Sequence, residues 1–392
     1  MIDTILSLVE NHVEWRGQQS LNLIPSENIT SPMVRALQSS ELGHRYTARD
    51  RFYMGTRFLD EIESLGEELA KRIFGAQIAD LRPLSGHIAD LVILGSFAKP
   101  HDVIMCVSAN DGGYPGIWQQ GAPSFLQLGV VGLPFSKENR NINAENAAEL
   151  ITKIKPRIVV FGASVFLFPH PVKALAKVAR EVGAHVSYDG SHVLGLIAGK
   201  EFQDPLQEGA TMLFGSTHKT FFGPQGGIIL ADLEHGEAVK RSIYPAFVDN
   251  AHWNRIAALT LALAEMKEFG TRYARQVVKN AQTLAKALAD YSFPVAGSKL
   301  GFTRSHQVLL DFGDYKNGRS VAKRLEDANI IADCGVRLGA CELTRRGMKQ
   351  REMLKVAEFI NRALKDRERP QGIKKEVGRF MSEFQEVKFC FK

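Results

Sequence analysis

Cysteine is scarce in this chain: 392 residues hold only Cys106, Cys334, Cys341 and Cys390. None stands in a Cys-x-x-Cys pair or beside a histidine cluster, which argues against a disulfide framework and against a zinc site. They read as reduced and mostly structural, and no metal is expected. No stretch of about 18 consecutive apolar residues occurs, and no basic segment followed by an apolar core opens the chain. Membrane spanning and secretion are therefore not expected, and a cytoplasmic location is. Internal repeats and low-complexity tracts are also missing. Neither sign of charge predominates: 49 basic residues stand against 43 acidic ones, a formal balance of +6. The densest basic run, Lys365 to Lys375, carries acidic residues as well and reads as the solvated end of a helix, so a nucleic-acid partner is not expected. The small excess can still attract an anionic substrate or cofactor.

What is present is ordinary globular usage, 45% hydrophobic and 23% charged. A chain this long exceeds the size at which one core keeps growing, so two domains are expected. Apolar, β-branched runs at 103–107, 157–161, 185–188 and 227–230 read as buried strands. Helical periodicity lies near 59–74, 86–98 and 172–182. Such alternation predicts an α/β fold with a largely parallel sheet and a ligand at the carboxyl ends of the strands. Asp189 falls at one such end. A long helical pattern covers 255–292 with an expected break near Gly270, and a last helix runs from about Lys349 to Leu364. These boundaries suggest an N-terminal arm at 1–30, a large domain at 31–270 and a smaller C-terminal α/β domain at 271–392.

The most informative stretch is Ser216-Thr217-His218-Lys219-Thr220 followed by Gly223-Pro224-Gln225-Gly226-Gly227, with Tyr188-Asp189-Gly190-Ser191-His192 upstream. A lysine held in a Thr/His/Gly-rich turn after an apolar strand, with an aspartate ending an earlier strand, suits a pyridoxal phosphate enzyme. Lys219 can form the Schiff base, and Asp189 can pair with the pyridinium nitrogen so that the ring withdraws electrons from the substrate α-carbon.

Further segments follow in a fixed order: Leu23-Ile24-Pro25-Ser26-Glu27-Asn28, Arg51-Phe52-Tyr53-Met54-Gly55, Pro83-Leu84-Ser85-Gly86-His87 and Asp111-Gly112-Gly113-Tyr114, then, past Lys219, Gly335-Val336-Arg337-Leu338-Gly339 and Leu343-Thr344-Arg345-Arg346-Gly347. Taken together they resemble the serine hydroxymethyltransferase family over most of the chain. The resemblance implies the type I pyridoxal phosphate-dependent transferase fold, with a large, mostly parallel mixed sheet. It implies that Ser85, Gly86 and His87, at a helix start, hold the cofactor phosphate. Thr217 and His218 flank the lysine, Ser164 hydrogen-bonds the ring oxygen, and His192 sits beside it. Tyr114 stands where the family usually stacks a histidine on the ring, and an aromatic ring can stack there too. Arg337 is the implied clamp for the substrate carboxylate, with Ser26 and Tyr53 also touching it. Tyr46 resembles a residue that reaches the phosphate from a neighbouring subunit, which implies a homodimer.

Departures from the family pattern are equally specific. The glutamate that the family carries shortly after the tyrosine matching Tyr46 is absent from Tyr46-Thr47-Ala48-Arg49-Asp50-Arg51, and Asp50 is out of register. A glycine-rich segment is replaced by Tyr244-Pro245-Ala246-Phe247-Val248-Asp249-Asn250. Gln225 stands for an arginine, and Ile331 lies only six residues before Arg337, where the family has a long loop bordering folate. The losses fall on the folate side, so the expected activity is folate-independent cleavage or formation of the Cα–Cβ bond of a serine- or threonine-like amino acid with a carbonyl partner. A base for the β-hydroxyl proton is not identified; His192, Glu27 or a water are candidates. Alternatives are a hydroxymethyltransferase using a modified pterin, another carbanion reaction such as racemisation, transamination or condensation, and a non-catalytic binding module.

Overall fold

The computed structural model describes residues 1–46 and 52–392. It divides into two compact units, one of residues 29–274 with 390–392 and one of residues 1–28 with 275–389. In the larger unit seven strands form one sheet: β1 (Ile78–Asp80), β2 (Val103–Cys106), β3 (Gly129–Gly132), β4 (Ile158–Phe161), β5 (His185–Asp189), β6 (Met212–Ser216) and β7 (Gly227–Ala231), in the order β1-β7-β6-β5-β4-β2-β3. From β3 through β6 every pairing is parallel, while β7 runs antiparallel to both of its neighbours, so the sheet is mixed and mostly parallel. The central strands are apolar on both faces, as parallel strands covered by crossover helices must be: all four residues of β4 are buried.

This topology gathers the chemistry at one edge. Asp189 is the last residue of β5, Ser216 the last of β6, and the segments after Cys106 and Phe161 leave neighbouring strands at the same end. Helix α1 (Arg57–Phe74) precedes β1, and helix α2 (Gly86–Phe97) follows it, starting six residues after Asp80. α2 has apolar residues all round and is largely buried.

Two sequence expectations are corrected. Helix α3 (Trp253–Asp290) runs without a break at Gly270. A glycine costs an exposed helix about 1 kcal/mol, yet the helix continues through it; the close approach here belongs to Gly199, where a Cβ would lie 2.6 Å from the Gly270 carbonyl oxygen. The chain also does not end its helices near Leu364: Lys365–Lys375 leads into a further helix, Pro370–Ser382. Pro370 occupies its first turn, where a missing N–H costs nothing, and Ile373, Val377 and Met381 bury one stripe.

In the smaller unit the N-terminal segment is part of the β structure. Leu21–Asn22 pairs in parallel with Ile330–Ile331, and Gln307–Leu309 pairs antiparallel with Arg337–Gly339. Arg362 ties the last two helices together, its Nε 2.8 Å from Glu368 Oε2 and its Nη2 2.6 Å from Glu376 Oε1.

Candidate active site

Asp189 is nearly buried, and its Oδ1 accepts a hydrogen bond from the Ser191 backbone N–H at 2.9 Å. Ser191 Oγ accepts in turn from the Ser216 N–H at 2.9 Å, so the ends of β5 and β6 are locked together. Beside them the chain leaves β4 through Gly162, with φ of 115°, where a Cβ would come within 2.3 Å of the Asp189 carbonyl oxygen. Only glycine allows that passage, and it sets Ser164, half-buried, next in line. His192 lies buried in the turn after Asp189.

Lys219 sits in the connection from β6 to β7, and that connection is closed by its own backbone. The Thr217 N–H donates to Gly226 O at 3.0 Å and the Gly223 N–H to Thr217 O at 2.8 Å. Thr217 Oγ1 donates to Pro224 O at 2.7 Å, and Thr220 Oγ1 accepts from the Gly195 N–H at 3.0 Å. His218 is neutral near pH 7, since burial and then the neighbouring Lys219 push its pKa down to about 4.

At the start of α2, Ser85 Oγ caps the helix by accepting from the Ile88 N–H at 3.1 Å. The first N–H groups of a helix have no partner within it and form a site for an anion. Gly86 is pressed against the end of β6: a Cβ there would stand 2.3 Å from Ser216 Oγ and 3.1 Å from Ser191 Oγ. The Tyr114 hydroxyl lies 3.3 Å from His87 Nδ1, with the two rings edge to face. Burial, then Asp90 and Asp189, raises the Tyr114 phenol to about 12, so it keeps its proton. Asp90, which sequence reading did not single out, is buried on α2 within electrostatic reach of Asp189 and Lys219. Its one signal in the sequence is an acid inside the apolar run Ile88-Ala89-Asp90-Leu91-Val92.

A profile of the serine hydroxymethyltransferase family matches residues 2–360. The chain belongs to that family. The serine hydroxymethyltransferase of Methanocella arvoryzae is 44% identical over all of this chain and 96% of its own length. That of Thermococcus kodakarensis is 42% identical over 99% of this chain and 96% of its own. Among solved structures, an L-threonine transaldolase from Pseudomonas fluorescens in its internal aldimine state superposes with a TM-score of 0.93 at 27% identity, covering 100% of this chain and 93% of that one. The type I transferase fold and a pyridoxal phosphate cofactor follow for this family member.

The residues present fit that cofactor. An open helix start framed by Ser85 and Gly86 suits a phosphate, and two buried polar atoms, His218 Nδ1 and Asp90 Oδ1, have no hydrogen-bond partner among the described residues. The residues expected to meet a substrate divide between the units. In the smaller one, Arg337 Nε donates to Asp333 Oδ2 at 2.9 Å, and the strand it opens runs against the Ser26 turn, where a Cβ on Gly339 would be 2.5 Å from Pro25 Cα. Glu27, a candidate base, is engaged by Arg16 at 2.7 Å and by Asn22. In the larger unit Tyr46 and Tyr53 are exposed and meet edge to face at 5.6 Å. Residues 47–51, with Asp50 and Arg51, lie outside the described residues. Among the described residues no cluster of His, Cys, Asp and Glu suits a metal ion, and no helix is long and apolar enough to cross a membrane.

Proposed function

We propose that this serine hydroxymethyltransferase family enzyme makes or breaks the Cα–Cβ bond of a serine- or threonine-like amino acid without requiring folate. The observation that carries the chemistry is the closed turn that holds Lys219 after β6, together with Asp189 held at the end of β5. When bound, pyridoxal phosphate withdraws electron density from the substrate α-carbon. Lys219 would supply the amine that holds the cofactor aldehyde, Asp189 would meet the pyridine nitrogen, and the start of α2 with Ser85, Gly86 and His87 would take the phosphate. Tyr114 would stack on the ring, with Ser164, His192, Thr217 and His218 around it. The family resemblance assigns the substrate carboxylate to Arg337, whose Nε donates to Asp333, and names Ser26 and Tyr53 beside it. A serine- or threonine-like substrate carries its hydroxyl on Cβ, so the bond that breaks leaves an aldehyde and glycine.

Folate independence is supported by the connection between Ile330–Ile331 and Arg337–Gly339. It is a tight turn closed by the Val336 N–H donating to Asp333 O at 2.9 Å. A homodimer in the cytoplasm belongs to the same reading. The dimer is supported by the helix Ile2–His12, which buries none of its residues and exposes Ile2, Ile5, Leu6 and Val9 at helical spacing. The test is the turnover of serine, threonine and allo-threonine with and without tetrahydrofolate and a reduced methanopterin. Cleavage at the same rate in all conditions is expected. A large, saturable stimulation of serine turnover by either pterin would overturn the folate-independent reading.

A further inference from the structure

Asp90 lies one helical turn into α2, inside the larger unit, and is 2% exposed. One of its oxygens, Oδ1, has no hydrogen-bond partner among the described residues. The other, Oδ2, is 4.0 Å from His87 Nδ1, beyond hydrogen-bond range. Burying an unpartnered carboxyl group is costly, and natural proteins rarely tolerate it without a purpose at that place. What surrounds the group is informative: Asp189 from the end of β5, Lys219 from the β6–β7 turn, Tyr114 and Cys106 from the end of β2 lie within its electrostatic reach, as does His87 on its own helix.

We propose that Asp90 is a further cofactor-contacting residue, a second carboxyl group that completes the pocket around the bound pyridine ring by donating a hydrogen bond through its unpartnered oxygen. The proposal rests on the placement of the ring between Asp189 and Lys219. Two carboxyl groups in one desolvated pocket do not both ionise at small cost. Burial, and then Asp189, hold the Asp90 acid well above the usual carboxylate range, against the pull of Lys219. That direction favours the neutral acid, which has an O–H to give where a carboxylate has none.

The experiment is titration of apo-protein with pyridoxal phosphate, followed by visible absorption, for wild type, Asp90→Leu and Asp90→Asn. Leu has the same branching and removes a buried polar group, so the apo-protein's melting temperature is expected to stay or rise while cofactor affinity falls by about tenfold, the loss of one buried hydrogen bond. Asn keeps a donor and is expected to lose clearly less. The pH midpoint of the holoenzyme's visible band is expected to be the same in Asn as in wild type, because no charge has been removed next to Lys219. Leu binding as tightly as wild type, or Asn losing as much as Leu, would overturn the contact. A shifted midpoint in Asn would show an ionised Asp90 and overturn the neutral donor. Should Leu fail to fold, Asp90→Ala carries the same comparison. Borohydride reduction and peptide mapping separate the two levels: cofactor fixed to a lysine other than Lys219 sinks the placement of the ring, whereas cofactor on Lys219 with unchanged Leu affinity sinks Asp90 alone.

Discussion

Replacing Gly86 with alanine is the sharpest perturbation of the phosphate cradle. The added methyl would stand 2.3 Å from Ser216 Oγ, 3.0 Å from the Ser216 nitrogen and 3.1 Å from Ser191 Oγ. Ordinary contacts between carbon and such atoms lie near 3.5 Å, so α2 or the end of β6 must move. Neither yields easily. Ser216 is tied to Ser191 Oγ through its N–H and is paired with Gly227 across the sheet, while α2 is capped by Ser85. Overpacking of this kind costs about 1–3 kcal/mol. The apo-protein's melting temperature should fall by several degrees, at about 2–4 °C per kcal/mol for a domain of this size. Pyridoxal phosphate affinity should fall further than stability, because the shifted helix start no longer presents its N–H groups to the phosphate. Differential scanning calorimetry of the apo-protein and cofactor titration measure the two effects. In the double variant Gly86→Ala, Ser216→Ala the nearest clashing atom is gone, and part of both losses should return. An alanine variant that melts and binds cofactor as wild type does would refute the close approach of α2 to β6, and with it the cradle.

Two other outcomes are expected. Arg337→Ala should weaken glycine binding by about 2–4 kcal/mol, the cost of removing one member of a desolvated charge pair, while cofactor binding survives; Arg337→Lys should rescue little, since a point charge cannot reproduce the fork. Equal glycine affinities by spectral titration across the three proteins would move the carboxylate site elsewhere. For pH, burial lowers the His170 pKa from 6.5 to about 3, so the unfolded chain takes up a proton that the folded one refuses. The stability this group confers is fully present above 6.5 and is lost as pH falls toward 3, by an amount on the order of a few kcal/mol. His170→Phe keeps a ring against Phe166, which the imidazole meets edge to face at 4.4 Å. It should flatten the acid limb of the urea midpoint between pH 6.5 and 4, and an unchanged slope would show that another group sets it.

Much of the fold was legible because its signals are local. Ile158–Phe161 and Gly227–Ala231 are short β-branched runs, and the periodicity of residues 59–74 and 172–182 marks helices within two residues of Arg57–Phe74 and Val172–Glu181. The order of the motifs was enough to give the family, the cofactor and the class of reaction, since chemistry that needs a lysine, an aspartate and a glycine cradle leaves them at characteristic places along the chain. Tertiary structure decided the rest. Gly270 reads as a helix break in sequence, yet the helix continues through it, and Gly199, far away in the chain, needs its missing side chain because the fold brings it against the Gly270 carbonyl. The N-terminal residues look like a separate arm, yet Leu21–Asn22 pairs with Ile330–Ile331, more than 300 positions away. Asp90 gives a weak sequence signal because an acid in an apolar helix has many innocent explanations. Its meaning comes from Asp189 and Lys219, which belong to other strands and turns and meet it only when the sheet is assembled in its order. Propensity and motif are properties of neighbours in the chain, whereas burial, charge proximity and close approach belong to neighbours in space.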